Sequence, residues 1–153
     1  MRISEICRHS VVTCHRETSA VEVAQLMRDR HVGDVVVVEN NDGRRIPVGI
    51  VTDRDLVVQV MAMGVSPDIL LAGDLITGKL VTAVGSEFVD EAIRYMRSKG
   101  IRRLPVVDAD NALIGVLTAD DVTEYLAGEL TDVTRIMPRQ IQIEQAKRDP
   151  IAH

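Results

Sequence analysis

Two short stretches carry the residues best suited to chemistry. One reads Gly49-Ile50-Val51-Thr52-Asp53-Arg54-Asp55 and the other Gly115-Val116-Leu117-Thr118-Ala119-Asp120-Asp121. Each is a Gly, two branched apolar residues, a Thr, two variable residues and an Asp. The apolar runs before each Thr, Pro47 to Val51 and Leu113 to Leu117, predict short buried strands. Helix-periodic residues follow each of them. A strand running into a helix N-terminus presents backbone N–H groups that lack intrahelical partners, at the positive end of the helix dipole. A hydroxyl and a carboxylate at that point can hold the ribose and phosphate of a nucleotide. The same Thr-x-x-Asp spacing is also close to a capping box, a purely structural way to start a helix. Two copies at equivalent points of an internal repeat shift the balance from capping alone toward binding.

The elements that must position these stretches follow in order along the chain. Residues 1–10 read as a short lead-in, and Val11 to Thr13 as a short strand. Ser19 with Glu22 is a capping-box signature, and Ala20, Val23, Ala24 and Met27 share one face of the helix it opens. Val35 to Val38 is a β-branched run that predicts a buried strand, Asp42-Gly43 a turn, and Ile46 to Val51 the return strand. A helix from about Arg54 presents Leu56, Val57, Val60 and Met61, with Gly64 as its stop. The order then recurs: a strand at Leu80 to Ala83, a helix opened by Ser86 and stopped by Gly100, and a strand at Leu104 to Val107. A turn at Asp108 to Asn111, a strand at Leu113 to Leu117 and a helix from near Asp120 complete the second unit.

The recurrence holds residue by residue. Val12-Thr13 and Val81-Thr82, Glu22 and Glu91, and Val37-Val38 and Val106-Val107 are each 69 positions apart, whereas Gly49, Thr52 and Asp55 lie 66 before Gly115, Thr118 and Asp121. The first hairpin is therefore longer by the difference, three residues. A β-α-β-β-α unit of roughly 60 residues has too little core to stand alone. Two units packed about a pseudo-twofold axis resolve that shortage. The expected division is a first repeat with its lead-in over 1–66, a second over 67–137, and a polar tail over 138–153. In that tail Ile141 and Ile143 alternate rather than follow a helix, so a short or partly disordered extension is expected.

Composition narrows the function. The chain has 153 residues, of which 46% are apolar, but only one Phe, two Tyr and no Trp, so the core must be aliphatic. A formal net charge of −5 argues against a nucleic-acid partner. No apolar run approaches the length of a membrane span, and the N-terminus has no signal-peptide pattern. Cys7 and Cys14 do not make a disulfide framework, and a cytoplasmic setting is expected. Cys7, His9, Cys14 and His15 cluster without a usual zinc spacing. No P-loop, glycine-rich dinucleotide motif or catalytic triad context is present, so an enzyme is not expected.

The ordered set of features resembles a tandem pair of cystathionine β-synthase (CBS) domains, a Bateman module, over roughly residues 4 to 130. The features are the doubled β-α-β-β-α unit, the strand start Arg103-Leu104-Pro105-Val106-Val107 and both Gly-x-x-Thr-x-x-Asp segments. It looks like a stand-alone pair. The resemblance implies an α+β fold of two repeats in pseudo-twofold arrangement, and a regulatory sensor with an adenosine-containing ligand in the cleft between them. AMP, ADP or ATP is implied first, with NAD or S-adenosylmethionine as other members' ligands, and no cofactor is required. Ribose would fall to Asp55 and Asp121, and ribose or phosphate to Thr52 and Thr118. The base would be bordered by Thr13, Cys14 and His15 and by Thr82, Ala83 and Val84. The strand starts, Asp34-Val35-Val36 and Arg103-Leu104-Pro105, would complete the base pocket. Arg54 is a candidate phosphate ligand in the first motif. Arg102 and Arg103 stand where the first repeat has Gly33 and Asp34, and in the second motif Asp120 adds negative charge. The resemblance also implies a homodimer with a protein target the sequence does not name. The alternative is a dimeric interaction module with vestigial clefts.

Overall fold

The computed structural model describes residues 1–148, so Asp149 and the rest of the expected tail's end lie outside the described residues. The elements are α1 (Ile3–Ile6), β1 (Thr13–Cys14), α2 (Ala20–Arg30), β2 (Asp34–Asn41), β3 (Arg44–Thr52) and α3 (Asp53–Asp55), which widens into a π-helix over Leu56–Met61. The second series is α4 (Ala72–Leu75), β4 (Ala83–Val84), α5 (Val89–Lys99), β5 (Arg103–Val107), β6 (Leu113–Thr118), α6 (Ala119–Thr134) and α7 (Ile136–Arg148). They form two three-stranded sheets of the same topology, β1-β2-β3 and β4-β5-β6. In each sheet the first pair is parallel and the second antiparallel, with a bulge at Val37/Val38 and its counterpart at Val106/Val107. The β2–β3 turn takes Asp42 and Gly43 at φ 50° and 78°, the double left-handed geometry for which Asp-Gly is suited.

Alternation along the strands explains the valine run. Val35 and Val37 pack under the helices with Val23, Met27, Val51 and Val60. Val36 and Val38 face the other way and meet Leu113 and Val116 of the second sheet, with Val11 and Ile50 against them. Because both faces of the sheet are buried, the strand is continuously apolar rather than alternating. The third cluster, in the second repeat, joins Val89, Met96, Leu104, Leu117 and Val122.

The division of the chain at 66/67 is one of sequence order, and the packing crosses it. Ile3 and Cys7 of the N-terminal segment are buried in the second repeat's core, and Ala72 and Leu75 of α4 in the first repeat's. The two segments are themselves repeat equivalents, 69 positions apart. Their contacts match: Ile3 N donates to Glu87 O at 2.9 Å, and Ala72 N to Thr18 O at 2.7 Å. The lead-in is thus an element of the repeat, exchanged between units.

Three expectations are corrected. The first strands of the two repeats are Thr13–Cys14 and Ala83–Val84, later in the chain than Val11 to Thr13 and Leu80 to Ala83. The helix of the second repeat starts at Val89, not at Ser86. Its N-terminus is closed by Glu91, whose carboxylate accepts from Phe88 N at 3.0 Å, while Ser86 O accepts from the Arg2 guanidinium. The tail is not an extension without helix: Ile136–Arg148 is helical with an exposed surface throughout. Alternation of Ile141 and Ile143 carries no weight where neither is buried. Gln, Glu, Ala, Lys and Arg are good helix formers, and Pro138 falls in the first turn, where no intrahelical N–H is lost. Gln140 Nε2 donates to Glu144 Oε1 at 2.9 Å, one turn along.

Candidate functional site

Both Thr-x-x-Asp segments form capping boxes. Thr52 Oγ1 accepts from Asp55 N at 3.2 Å, and Asp55 Oδ2 accepts from Thr52 N at 2.8 Å. Thr118 Oγ1 accepts from Asp121 N at 3.1 Å, and Asp121 Oδ2 accepts from Thr118 N at 2.8 Å and from Thr118 Oγ1 at 2.6 Å. The two sites differ in what else holds the carboxylate. Asp121 Oδ1 accepts from Arg8 Nε at 2.8 Å, whereas among the described residues Asp55 Oδ1 meets only Gln59 Nε2, at 3.4 Å. The repeat equivalent of Arg8 is Thr77, which is too short to play the same part.

The motif glycines have a packing reason. A Cβ on Gly115 would lie 2.6 Å from Cys7 Sγ and 2.9 Å from Arg8 O, and one on Gly49 would lie 2.5 Å from Ile76. Each glycine lets the exchanged segment lie directly on the strand that feeds the motif. Cys7 and Ile76 are again repeat equivalents.

A cleft of about 290 Å³ opens between the repeats. Val11, Val12, Val32 and Val116 form its apolar walls; Arg8, Asp34, Arg102, Arg103, Thr118 and Asp120 bring polar and charged groups to it. Its size sits at the lower end of small-molecule sites. The two arginines are each paired. Arg102 Nη2 lies 3.2 Å from Asp120 Oδ1, with both side chains about three-quarters exposed, so water screens that pair. Arg103 Nε lies 2.7 Å from Asp34 Oδ2, with side-chain exposures of 31% and 19%. That approach is close in distance but off the hydrogen-bond line, so the solvent-shielded Nε has no aligned acceptor among the described residues.

Of the residues read from the sequence, the cleft gathers Thr118, Arg102 and Arg103, with Gly33, Asp34, Ala119 and Asp120 beside them. Asp121 is not in its lining; it borders a separate pocket with Ile6, Glu124 and Tyr125 and is joined to the cleft through Arg8. Thr13 pairs with Val36 in β1, and the Cys14 side chain is buried in the first repeat's core. Burial pushes its thiol up to about 11 and raises that of Cys7 too. His15 Nδ1 sits 3.2 Å from Val38 O. Thr82 and Val84 are half-buried; Ala83, Leu104 and Pro105 are buried in the second repeat. Arg54 is exposed, and its backbone N donates to Asp53 Oδ1 at 2.8 Å. Arg8, Ser10, His31 and the Val11-Val12 wall were not among the residues singled out for the site. Arg8 and Ser10 carry no motif, and they reach the cleft because the N-terminal segment crosses to the other repeat.

The CBS domain family model matches residues 3–62 and 72–128. An uncharacterized protein of Methanopyrus kandleri is 39% identical over 122 residues, covering 80% of this chain. The match spans 61% of that relative, less than two thirds of its length. Among solved structures, a CBS domain protein from Pyrobaculum aerophilum complexed with AMP is similar, with a TM-score of 0.71 and 26% identity. The likeness covers 79% of this chain and 89% of that one. The CBS domain pair of a protein in complex with 5′-methylthioadenosine and S-adenosyl-L-methionine has a TM-score of 0.71 at 23% identity, covering 82% and 99% of the two chains. That likeness concerns the fold.

Proposed function

We propose, because this chain belongs to the CBS-domain family, that it is a cytoplasmic, non-catalytic regulatory module that binds an adenine nucleotide in the cleft between its repeats. The observation that carries this reading is the convergence of Arg102, Arg103 and Thr118 on a cleft walled by valines. Aliphatic walls suit a flat base, and guanidinium groups suit phosphate. The AMP-bound Pyrobaculum structure supports the same ligand class. Thr118 and Asp121 would serve ribose and phosphate, as would Thr52, Arg54 and Asp55 at the equivalent place in the first repeat. Asp121 accepts ribose hydroxyls once Arg8, whose side chain is 62% exposed, swings off its Oδ1. Ligand binding would bias the protein's shape or its contacts with a target.

Adenine ligands are expected to stabilise the protein in preference to guanine ones. At a hundredfold excess over Kd the gain is about 2.7 kcal/mol, which raises Tm by several degrees for a chain of this size. Thermal denaturation with AMP, ADP, ATP, NAD, S-adenosylmethionine and GMP tests it. No shift with any adenosine compound at millimolar concentration leaves the alternative, an interaction module with vestigial clefts.

The module is also expected to be a homodimer. Val57, Val58 and Met61 on the π-helix, and Leu126, Leu130 and Val133 on α6, are exposed large apolar side chains. Burying such a surface against a second copy removes it from water. Sedimentation equilibrium checks this, and a monomer at micromolar concentration would refute it.

A further inference from the structure

We propose that Asp34 sets how strongly the cleft prefers ligands with an anionic 5′ group, by competing with that group for the Arg103 guanidinium. The inference rests on the reading that the cleft binds adenosine ligands and adds to it a residue that tunes ligand charge.

Asp34 and Arg103 are repeat equivalents, 69 positions apart, and they face each other where the pseudo-twofold axis passes. Their charges are opposite, so positions that would repel or merely abut in a symmetric pair are joined at 2.7 Å. A second carboxylate lies close by. Arg103 Nη2 and Asp53 Oδ2 are each 3.2 Å from the point a Cβ on Gly33 would occupy. Asp34 is the carboxylate paired with the guanidinium, and the missing Gly33 side chain leaves open space between Nη2 and the Asp53 carboxylate.

This arrangement makes Arg103 the cation on which ligand charge is read. Arg102 is mostly in water and its interactions are screened. Arg103 is shielded, so a charge beside it is felt more strongly. Its contact with Asp34 is a charge pairing without an aligned hydrogen bond from Nε among the described residues, so a phosphate can compete with it for the guanidinium. With the Asp34 carboxylate beside it, an incoming phosphate meets both the attraction of Arg103 and the repulsion of that group. A neutral 5′ group meets neither.

The test is calorimetric titration of the full chain with AMP and with adenosine, which share base and ribose and differ in the phosphate. Asp34→Asn is expected to tighten AMP by about tenfold and to leave adenosine within about twofold. Arg103→Gln should weaken AMP by a similar factor and spare adenosine. In the double variant the gain from Asp34→Asn should vanish, because the group it competes for is gone. A purely structural role for the pair would move AMP and adenosine together. Parallel changes for both ligands, or no tightening of AMP by Asp34→Asn, would overturn the inference while leaving the nucleotide reading in place. A wild-type protein that binds neither compound would remove that reading and this one with it.

Discussion

Gly115→Ala is expected to cost about 3–5 kcal/mol of folding stability, from overpacking and the hydrogen bonds it disturbs. The new methyl would lie 2.6 Å from Cys7 Sγ and 2.9 Å from the backbone oxygen of Arg8. A sulfur atom can turn aside, but a backbone oxygen moves only with its chain. That chain is held one residue on by a reciprocal pair, Arg8 N to Val116 O and Val116 N to Arg8 O, both 2.9 Å. Relief of the clash stretches both bonds and lifts Ile3 and Cys7 from the second repeat's core. Gly49→Ala is the control. There the close atoms are Cδ1 and both γ-carbons of Ile76, which no single rotamer clears. The next residue, Thr77, is not held among the described residues by a reciprocal backbone pair like that of Arg8, so the segment can withdraw and a smaller loss of about 1–2 kcal/mol is expected. Urea unfolding of both variants measures the difference. Equal losses, or a loss below about 1 kcal/mol at Gly115, would mean that the N-terminal segment is not seated as described.

Asp121→Ala should cost about 3 kcal/mol, and more than Asp55→Ala, for which about 1–2 kcal/mol is expected. The Asp121 carboxylate accepts from Thr118 N, Thr118 Oγ1 and Arg8 Nε, and its side chain is only 10% exposed. Asp55 accepts from Thr52 N and, at long range, from Gln59. Hydrogen bonds to an ionised acceptor are the stronger kind, but three on one group are not additive. Asp121→Asn separates the carboxylate's roles. Its amide oxygen still accepts from the Thr118 backbone, so most of the cap survives, while the pairing with Arg8 and the charge offered to ribose are lost. Under the nucleotide reading, adenosine affinity should fall roughly tenfold to a hundredfold in Asp121→Asn. The same substitution at Asp55 should weaken binding at its own site. Unfolding and titration on the same four variants check both. Wild-type stability in Asp121→Ala would contradict the network, and wild-type affinity in both Asn variants would leave the two segments as helix caps only.

Much of the molecule was legible in the residue order because the physics is local. Period-2 and period-3.6 apolar spacing acts within a few residues, and so do the Asp42-Gly43 turn and the Gly100 cap, which takes φ 63°. The capping boxes at Thr52 and Thr118 close over three positions, so their formation follows from spacing alone. The doubling of the unit was equally plain, and with it the need for each half to cover the other.

What the tertiary structure decided is everything that depends on partners distant in sequence. The lead-in's place in the second repeat is set by where a short apolar helix finds an open core, and the nearest one in space is not the nearest in the chain. The destinations of Arg102 and Arg103 could not be read in advance, because a long guanidinium chain reaches several carboxylates and only packing chooses among them. Packing gives Arg103 to Asp34 across the axis and Arg102 to Asp120 at the start of α6. The inequality of the two motifs has the same origin. They share Gly, Thr and Asp at one spacing, but Arg8 crosses to Asp121 while its equivalent, Thr77, is too short to play the same part at Asp55.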